Sequence, residues 1–176
     1  EAWGVAAHLA TEDGSVGVGN LGECNTGNVA GVVTVRQHPT YRSIDSGFDV
    51  AVLRLARGFA GNSKVALASA ANDPAVGGDV YLRGWGRTDS VGQPTSSPDQ
   101  LQALLYPVSA QSCPAGGLCA QPSVTRGACK GDSGGPISRW TGSKWEQVGI
   151  VSWGIGCANG EFPGVYTRLS KFSNDV

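Results

Sequence analysis

Short apolar runs rich in Val, Leu, Tyr and Trp alternate along this chain with clusters of Gly, Asn, Ser and Pro, and the runs are too short for amphipathic helices. The pattern predicts strands near Val29 to Val35, Val50 to Leu55, Val65 to Leu67, Val80 to Trp85, Leu101 to Val108, Gln147 to Trp153 and Val165 to Thr167. Short strands separated by turn residues predict an all-β sandwich or barrel system. Between Arg57 and Gly78 the residues Gly58, Gly61, Asn62, Pro74, Gly77 and Gly78 surround one weak strand, so this stretch reads as a connection between two lobes. A second polar segment, Asp89 to Gln100, carries Gly92, Pro94 and Pro98 and reads as an exposed, mobile loop. No apolar run reaches about 18 residues, so no membrane-crossing helix is predicted. Neither an internal repeat nor a signal-peptide pattern is evident.

Composition agrees with that picture. The 27 Gly among 176 residues are about twice the usual share, and the 15% of charged residues lies below the roughly 25% of ordinary soluble domains; both suit turns and short strands. The length predicts one compact domain or two small lobes. Lys and Arg total 13 against 14 Asp and Glu, with no basic block, which removes the electrostatic footprint of a nucleic-acid binder. The chain contains no Met, and the expectation is therefore a processed chain or a fragment of a longer protein.

The 5 cysteines, Cys24, Cys113, Cys119, Cys129 and Cys157, are odd in number. Only His8 and His38 are present to join them, and no paired C-x-x-C arrangement lies near a His, so a structural zinc site is poorly supported. Two bridges and one remaining cysteine in an oxidising compartment is the favoured reading, and five buried free thiols the blander one. Two bridges among five cysteines allow about 15 arrangements, and spacing does not choose between them.

Lys130 to Pro136, KGDSGGP, sets one hydroxyl among glycines, with an acid immediately before it and a proline closing the turn. Glycine lets backbone N–H groups approach a reacting atom closely. A nucleophilic Ser needs a base to take its proton and donors aimed at the oxyanion it creates; the N–H groups of Gly131 and Ser133 are candidate donors. Taken alone, the segment reads first as a surface turn. Of the two imidazoles, His8 lies among small residues in GVAAHLA, whereas His38 precedes Pro39 in QHPTY and reads as a surface turn residue; His8 is the stronger candidate base. The orienting acid is read as Asp49, at the mouth of the apolar strand FDVAVLRL, where a buried carboxylate requires hydrogen-bonding partners. Its plain alternative is a strand-start acid facing water. Asp132, adjacent to Ser133, does not suit the orienting role.

Together GVAAHLA, FDVAVLRL, CKGDSGGP and VSWGIGC followed by FPGVYTRL closely resemble the chymotrypsin- and trypsin-like serine proteases, in that family's His, Asp, Ser order. The likeness covers nearly the whole chain and includes a Gly-Trp-Gly at Gly84 to Gly86. It implies two six-stranded antiparallel Greek-key barrels, the first incomplete on its N-terminal side: residues 1–57 as the partial first barrel, 58–78 as the connection, and 79–176 as the second barrel with the start of a terminal helix. It also implies a secreted serine endopeptidase that takes protein or peptide substrates, meets protein protease inhibitors, and uses no metal or organic cofactor, nucleic acid or membrane.

Residue by residue, the resemblance makes Ser133 the nucleophile, His8 the general base, Asp49 the orienting carboxylate, and Gly131 and Ser133 the oxyanion-hole donors. Ser152, Trp153 and Gly154 match the segment that pairs with the substrate backbone as an added strand. Gly127 matches the floor of the specificity pocket, Ala128 lies beside it, and Gly154 and Gly164 match its walls. With no carboxylate there, the expected preference is for uncharged apolar side chains, chymotrypsin-like or elastase-like, with Glu161 as a residue that could reach the pocket rim. Cys129 and Cys157 match one family bridge and Cys113 with Cys119 another; Cys24 has no counterpart.

The chain also departs from the family pattern. It begins seven residues before His8, whereas in the family a newly cleaved N-terminal amine pairs with the acid beside the nucleophile, here Asp132. Without that amine Asp132 is expected to lack its partner and Gly131 to misdirect its N–H, which makes a zymogen-like or catalytically silent homologue that binds partners the alternative reading. Leu9 stands where the family commonly has Cys, and Leu169 to Val176 is long enough for about two turns of a terminal helix. The native protein is expected to be longer at both ends.

Overall fold

The computed structural model describes residues 2–6, 32–56, 64–88, 97–111, 113–122 and 126–172. His8, Leu9, Cys24 and the segments 57–63, 89–96 and 173–176 lie outside the described residues. The strands form two sheets. In the first, β1 (Ala2–Ala6), β2 (Val32–Gln37) and β3 (Ala51–Leu55) are ordered β1-β3-β2, all antiparallel. The register sets Ala6 and Gln37 on either side of Ala51, so the chain segments that follow β1 and precede β3 emerge at one end of the sheet.

The second sheet contains β4 (Ala66–Leu67), β5 (Asp79–Gly84), β6 (Gln102–Pro107), β7 (Gly117–Ala120), β8 (Pro136–Trp140), β9 (Trp145–Trp153) and β10 (Gly164–Arg168). Six of these run antiparallel in the order β6-β5-β8-β9-β10-β7, and an isolated bridge between Val108 and Ala120 brings the two edges together. Edge closure of this kind leaves no long unpaired strand and makes a barrel. The weak strand of the connecting stretch, β4, adds to β9 in parallel.

Packing explains the apolar pattern of β9. Val148 and Val151 face the barrel core with Val80, Leu82, Tyr106, Leu118, Ile137 and Tyr166, while Ile150 joins a second cluster with Val50, Leu169 and Phe172. Both faces of the strand are therefore covered, and its sequence loses the in-out alternation of a half-exposed strand. Burying each such side chain contributes about 1.5–3 kcal/mol relative to exposure.

The predicted strands have counterparts shifted by one to three residues. Three strands are not legible in the apolar pattern: β1, AWGVA, and β7, GLCA, are too rich in small residues, and β8, PISRW, follows directly on the Ser133 turn. At the C-terminal side, Leu169–Lys171 forms a single 3-10 turn. Among the described residues no helix is long and apolar enough to cross a membrane.

Glu146 is buried on β9, where Arg139 and Lys144 each approach its carboxylate to 3.1 Å. The hydrogen bond from Lys144 leads in holding its carboxyl below the usual range; burial opposes it, and Arg139 reinforces it. A depressed folded-state pKa contributes stability above the unfolded carboxyl's value of about 4.3, and that contribution is lost as pH falls through the folded value. Glu146→Gln is therefore expected to lower stability at neutral pH, on the order of 1 kcal/mol, and to flatten the fall of Tm below about pH 4. Parallel Tm–pH curves for the two proteins would contradict this assignment.

Candidate active site

The turn that carries Ser133 is built by local hydrogen bonds. Asp132 N–H donates to the Cys129 carbonyl at 3.0 Å and Gly135 N–H to the Asp132 carbonyl at 2.9 Å, while Gly134 N–H donates to the Val151 carbonyl of β9 and Val151 N–H to the Gly135 carbonyl, each at 2.9 Å. Gly131 and Gly134 take φ of +97° and +78°, a region that L side chains rarely enter, which explains both glycines. Ser133 itself is exposed, and neither its N–H nor that of Gly131 meets a backbone acceptor among the described residues.

Beneath the turn, the Asp132 carboxylate is buried and accepts the N–H of Gly86 at 2.9 Å and that of Cys129 at 3.0 Å. Among the described residues two backbone amides hold this carboxylate, in addition to whatever the amine expected from the resemblance would supply. The same contact accounts for Gly-Trp-Gly, because a Cβ on Gly84 or on Gly86 would collide with the Asp132 carboxylate. Burial, with this carboxylate nearby, pushes the phenols of Tyr106 and Tyr166 far above their ordinary range.

Asp49 enters β3 almost fully buried. Its Oδ2 accepts the Ser152 hydroxyl at 2.7 Å, and its backbone carbonyl accepts the Thr167 hydroxyl at 2.6 Å. It is therefore not a strand-start acid facing water. These bonds tie the first sheet to β9 and β10 across separations of 103 and 118 residues. The sequence pattern assigns Ser152 to substrate pairing alone, and nothing local marks it, or Thr167, as a partner of Asp49. Tyr41 lies close enough that burial, then the Asp49 and Asp45 carboxylates, raise its phenol. His38 stacks on Phe48 at 5.0 Å, meets Phe172 edge-on at 5.1 Å, and accepts the Thr40 N–H at Nδ1, so it is held in an aromatic cluster. His8 falls outside the described residues.

A cavity of about 310 Å³ opens beside Ser133. Gly127, Ala128, Ser152, Trp153, Gly154 and Gly164 all line it, together with Ser133. Gly127 packs against the backbone of Ala158, whose nitrogen would sit 2.6 Å from any Cβ there, whereas at Gly154 nothing lies closer than 3.9 Å. The cavity is thus closed by backbone at Gly127 and has room beside Gly154. Glu161 does not line the cavity; it is exposed in a loop whose backbone is held by Asn159 at 2.9 Å. Lys130 does line it, a position the pocket pattern passed over. Disulfides join Cys129 to Cys157, across the cavity wall, and Cys113 to Cys119. Among the described residues no group of three or more His, Cys, Asp or Glu side chains is placed to hold a metal ion.

Comparison with known proteins agrees with this geometry. The family model described as Trypsin matches residues 5–176. The chain is 32% identical over 184 residues to a trypsin of Simulium vittatum, covering 92% of this chain and 70% of that protein. It is 35% identical over 170 residues to transmembrane protease serine 7 of Mus musculus, covering 87% of this chain and 20% of the relative. With transmembrane protease serine 5 of Homo sapiens the identity is 37% over 150 residues, covering 77% and 32% respectively. The chain thus spans a fifth to a third of the two longer relatives.

Proposed function

Because this chain belongs to the trypsin family of serine proteases, we propose that it is a secreted serine endopeptidase that hydrolyses peptide bonds through an acyl-enzyme. The single observation that carries this reading is the cavity that takes in Ser133 and the six residues assigned to substrate binding. Asp49, anchored by Ser152, supports it further. In sequence His8 follows the last residue of β1 by two positions and Asp49 precedes the first of β3 by two, and the pairing of Ala6 with Ala51 supports reading the two as base and orienting acid.

The chemistry follows the family's established template. Ser133 Oγ attacks the carbonyl carbon of the substrate while His8 takes its proton. Asp49, with one oxygen held by Ser152, steadies the imidazolium with the other. The N–H groups of Gly131 and Ser133 donate to the developing oxyanion, fixed dipoles that need no reorganisation. Collapse returns the proton from His8 to the leaving amine and leaves Ser133 acylated. Water then attacks the ester, giving its proton to His8, and the released alcohol recovers it. The apolar, carboxylate-free cavity favours uncharged side chains at the cleavage site, because a cation there would be desolvated without a partner. The two disulfides fit an oxidising, extracellular compartment.

A fluorophosphonate probe, which needs an activated serine, tests the reading in protein carrying its native N-terminus. Labelling at Ser133 that disappears in Ser133→Ala is expected. An unlabelled wild-type protein would replace this reading with that of a silent homologue acting as a binding protein. Peptides with Phe at the cleavage site should outpace those with Arg, and comparable rates would overturn the apolar preference.

A further inference from the structure

Resting on the protease reading above, we propose that Gly47 and Gly116 form a clamp between the two sheets that holds Asp49 in line with its base, which makes the two glycines positioning residues for the reaction. Gly47 is buried, two residues before Asp49, and takes φ of +76°. Gly116 takes φ of +75° inside the short loop that the Cys113–Cys119 disulfide closes. Their backbones meet directly. A Cβ on Gly47 would collide with the Ala115 carbonyl oxygen, and one on Gly116 would lie 2.7 Å from the Gly47 carbonyl oxygen and 3.4 Å from Phe172 Cζ. Phe172 in turn meets the ring of Phe48 edge-on at 5.9 Å. Both contacts of Gly116 therefore bear on the two residues that lead into Asp49.

The disulfide loop is the anchored side of this contact. Gly117 N–H donates to the Pro114 carbonyl at 2.8 Å, and Arg168 of β10 donates its N–H to the Gly116 carbonyl at 2.9 Å and its Nε to the Gly117 carbonyl at 2.8 Å. The Arg168 guanidinium is itself paired with Asp73. A displaced Asp49 would weaken the reaction in two ways. Misplacing a catalytic group by about 1 Å costs about 10²-fold in rate, and a carboxylate drawn away from an imidazole stops favouring its protonated form, so the base gives up its proton at lower pH. Among the described residues the other titratable groups around this segment are Asp45, Tyr41 and His38, the last stacked on Phe48.

Gly116→Ala tests this, with Gly142→Ala as its reference. Gly142 takes φ of +94°, and among the described residues nothing beyond its chain neighbours lies within 4 Å of a Cβ there, so its substitution imposes the backbone strain without the contact. Per folded molecule, Gly116→Ala is expected to lower kcat by about 10²-fold with KM changed far less, and to move the midpoint of the kcat/KM rise to lower pH by about 0.5–1 pH unit. Gly142→Ala should keep the wild-type kcat and midpoint. Cys113→Ala combined with Cys119→Ala releases the loop without adding bulk, and is expected to move kcat and the midpoint in the same directions; it decides the matter if Gly116→Ala does not fold. Wild-type kcat in folded Gly116→Ala, a lower kcat with an unmoved midpoint, an equal loss in Gly142→Ala, or an unmoved midpoint in the double variant would each overturn the proposal. Wild-type protein that is labelled at Ser133 while the variants behave like it defeats this proposal alone, whereas unlabelled wild-type protein defeats the protease reading and this one with it.

Discussion

His8→Ala is expected to lower kcat by about 10⁴ or more, with KM changed far less, because base and nucleophile act as one unit in this chemistry. The magnitude is carried over from the family's template. Its physical basis is that a serine hydroxyl is a poor nucleophile at neutral pH until a neighbouring base removes its proton during attack. The residual rate should come from the oxyanion donors and from substrate positioning. In the wild type, activity should rise with pH through about 6 to 7, the ordinary range of an imidazole losing its proton, and the rise should be absent in His8→Ala. Steady-state kinetics on a Phe-containing peptide checks both. A tenfold loss, or a flat profile from about pH 5 to 8, would remove His8 from the mechanism.

Gly86→Ala is expected to cost about 10²–10³ in kcat, the range seen when an oxyanion donor is lost, although Gly86 does not line the cavity. The cause is steric. The new methyl would occupy the space of the Asp132 carboxylate, which must move and give up the Gly86 N–H at 2.9 Å. The Gly131–Ser133 turn then loses the anchor beneath it, and its N–H groups lose their aim. A displaced carboxylate that stays buried without its amides also destabilises the fold, by about 1–3 kcal/mol. Activity is therefore compared per folded molecule, at a temperature well below the measured Tm. A folded Gly86→Ala protein with wild-type kcat would show that the contact with Asp132 does not govern the donors.

Much of the site was legible along the chain because its parts are local. The glycines around Ser133 mark a turn whose φ values exclude side chains, at +97° for Gly131 and +78° for Gly134. The apolar run after Asp49 marks a buried strand, and a carboxylate at its mouth needs partners whatever they are. Other parts had no local signature. Ser152 reads as one more residue of the strand β9 until the fold sets it 2.7 Å from Asp49. Lys130 reads as an ordinary surface lysine until the cavity forms beside it. Asp132 accepts the amide of Gly86, 46 residues earlier, a contact that nothing along the chain marks.

By itself, then, the sequence determined the all-β class, the turn that exposes Ser133, and the residue types available for acid–base chemistry. These follow from side-chain period, glycine geometry and proton affinity, which act within a few residues. Tertiary structure alone decided which hydroxyl steadies Asp49, what satisfies Asp132, and where the cavity lies. Those contacts span up to 118 residues, and strand register and barrel closure set them.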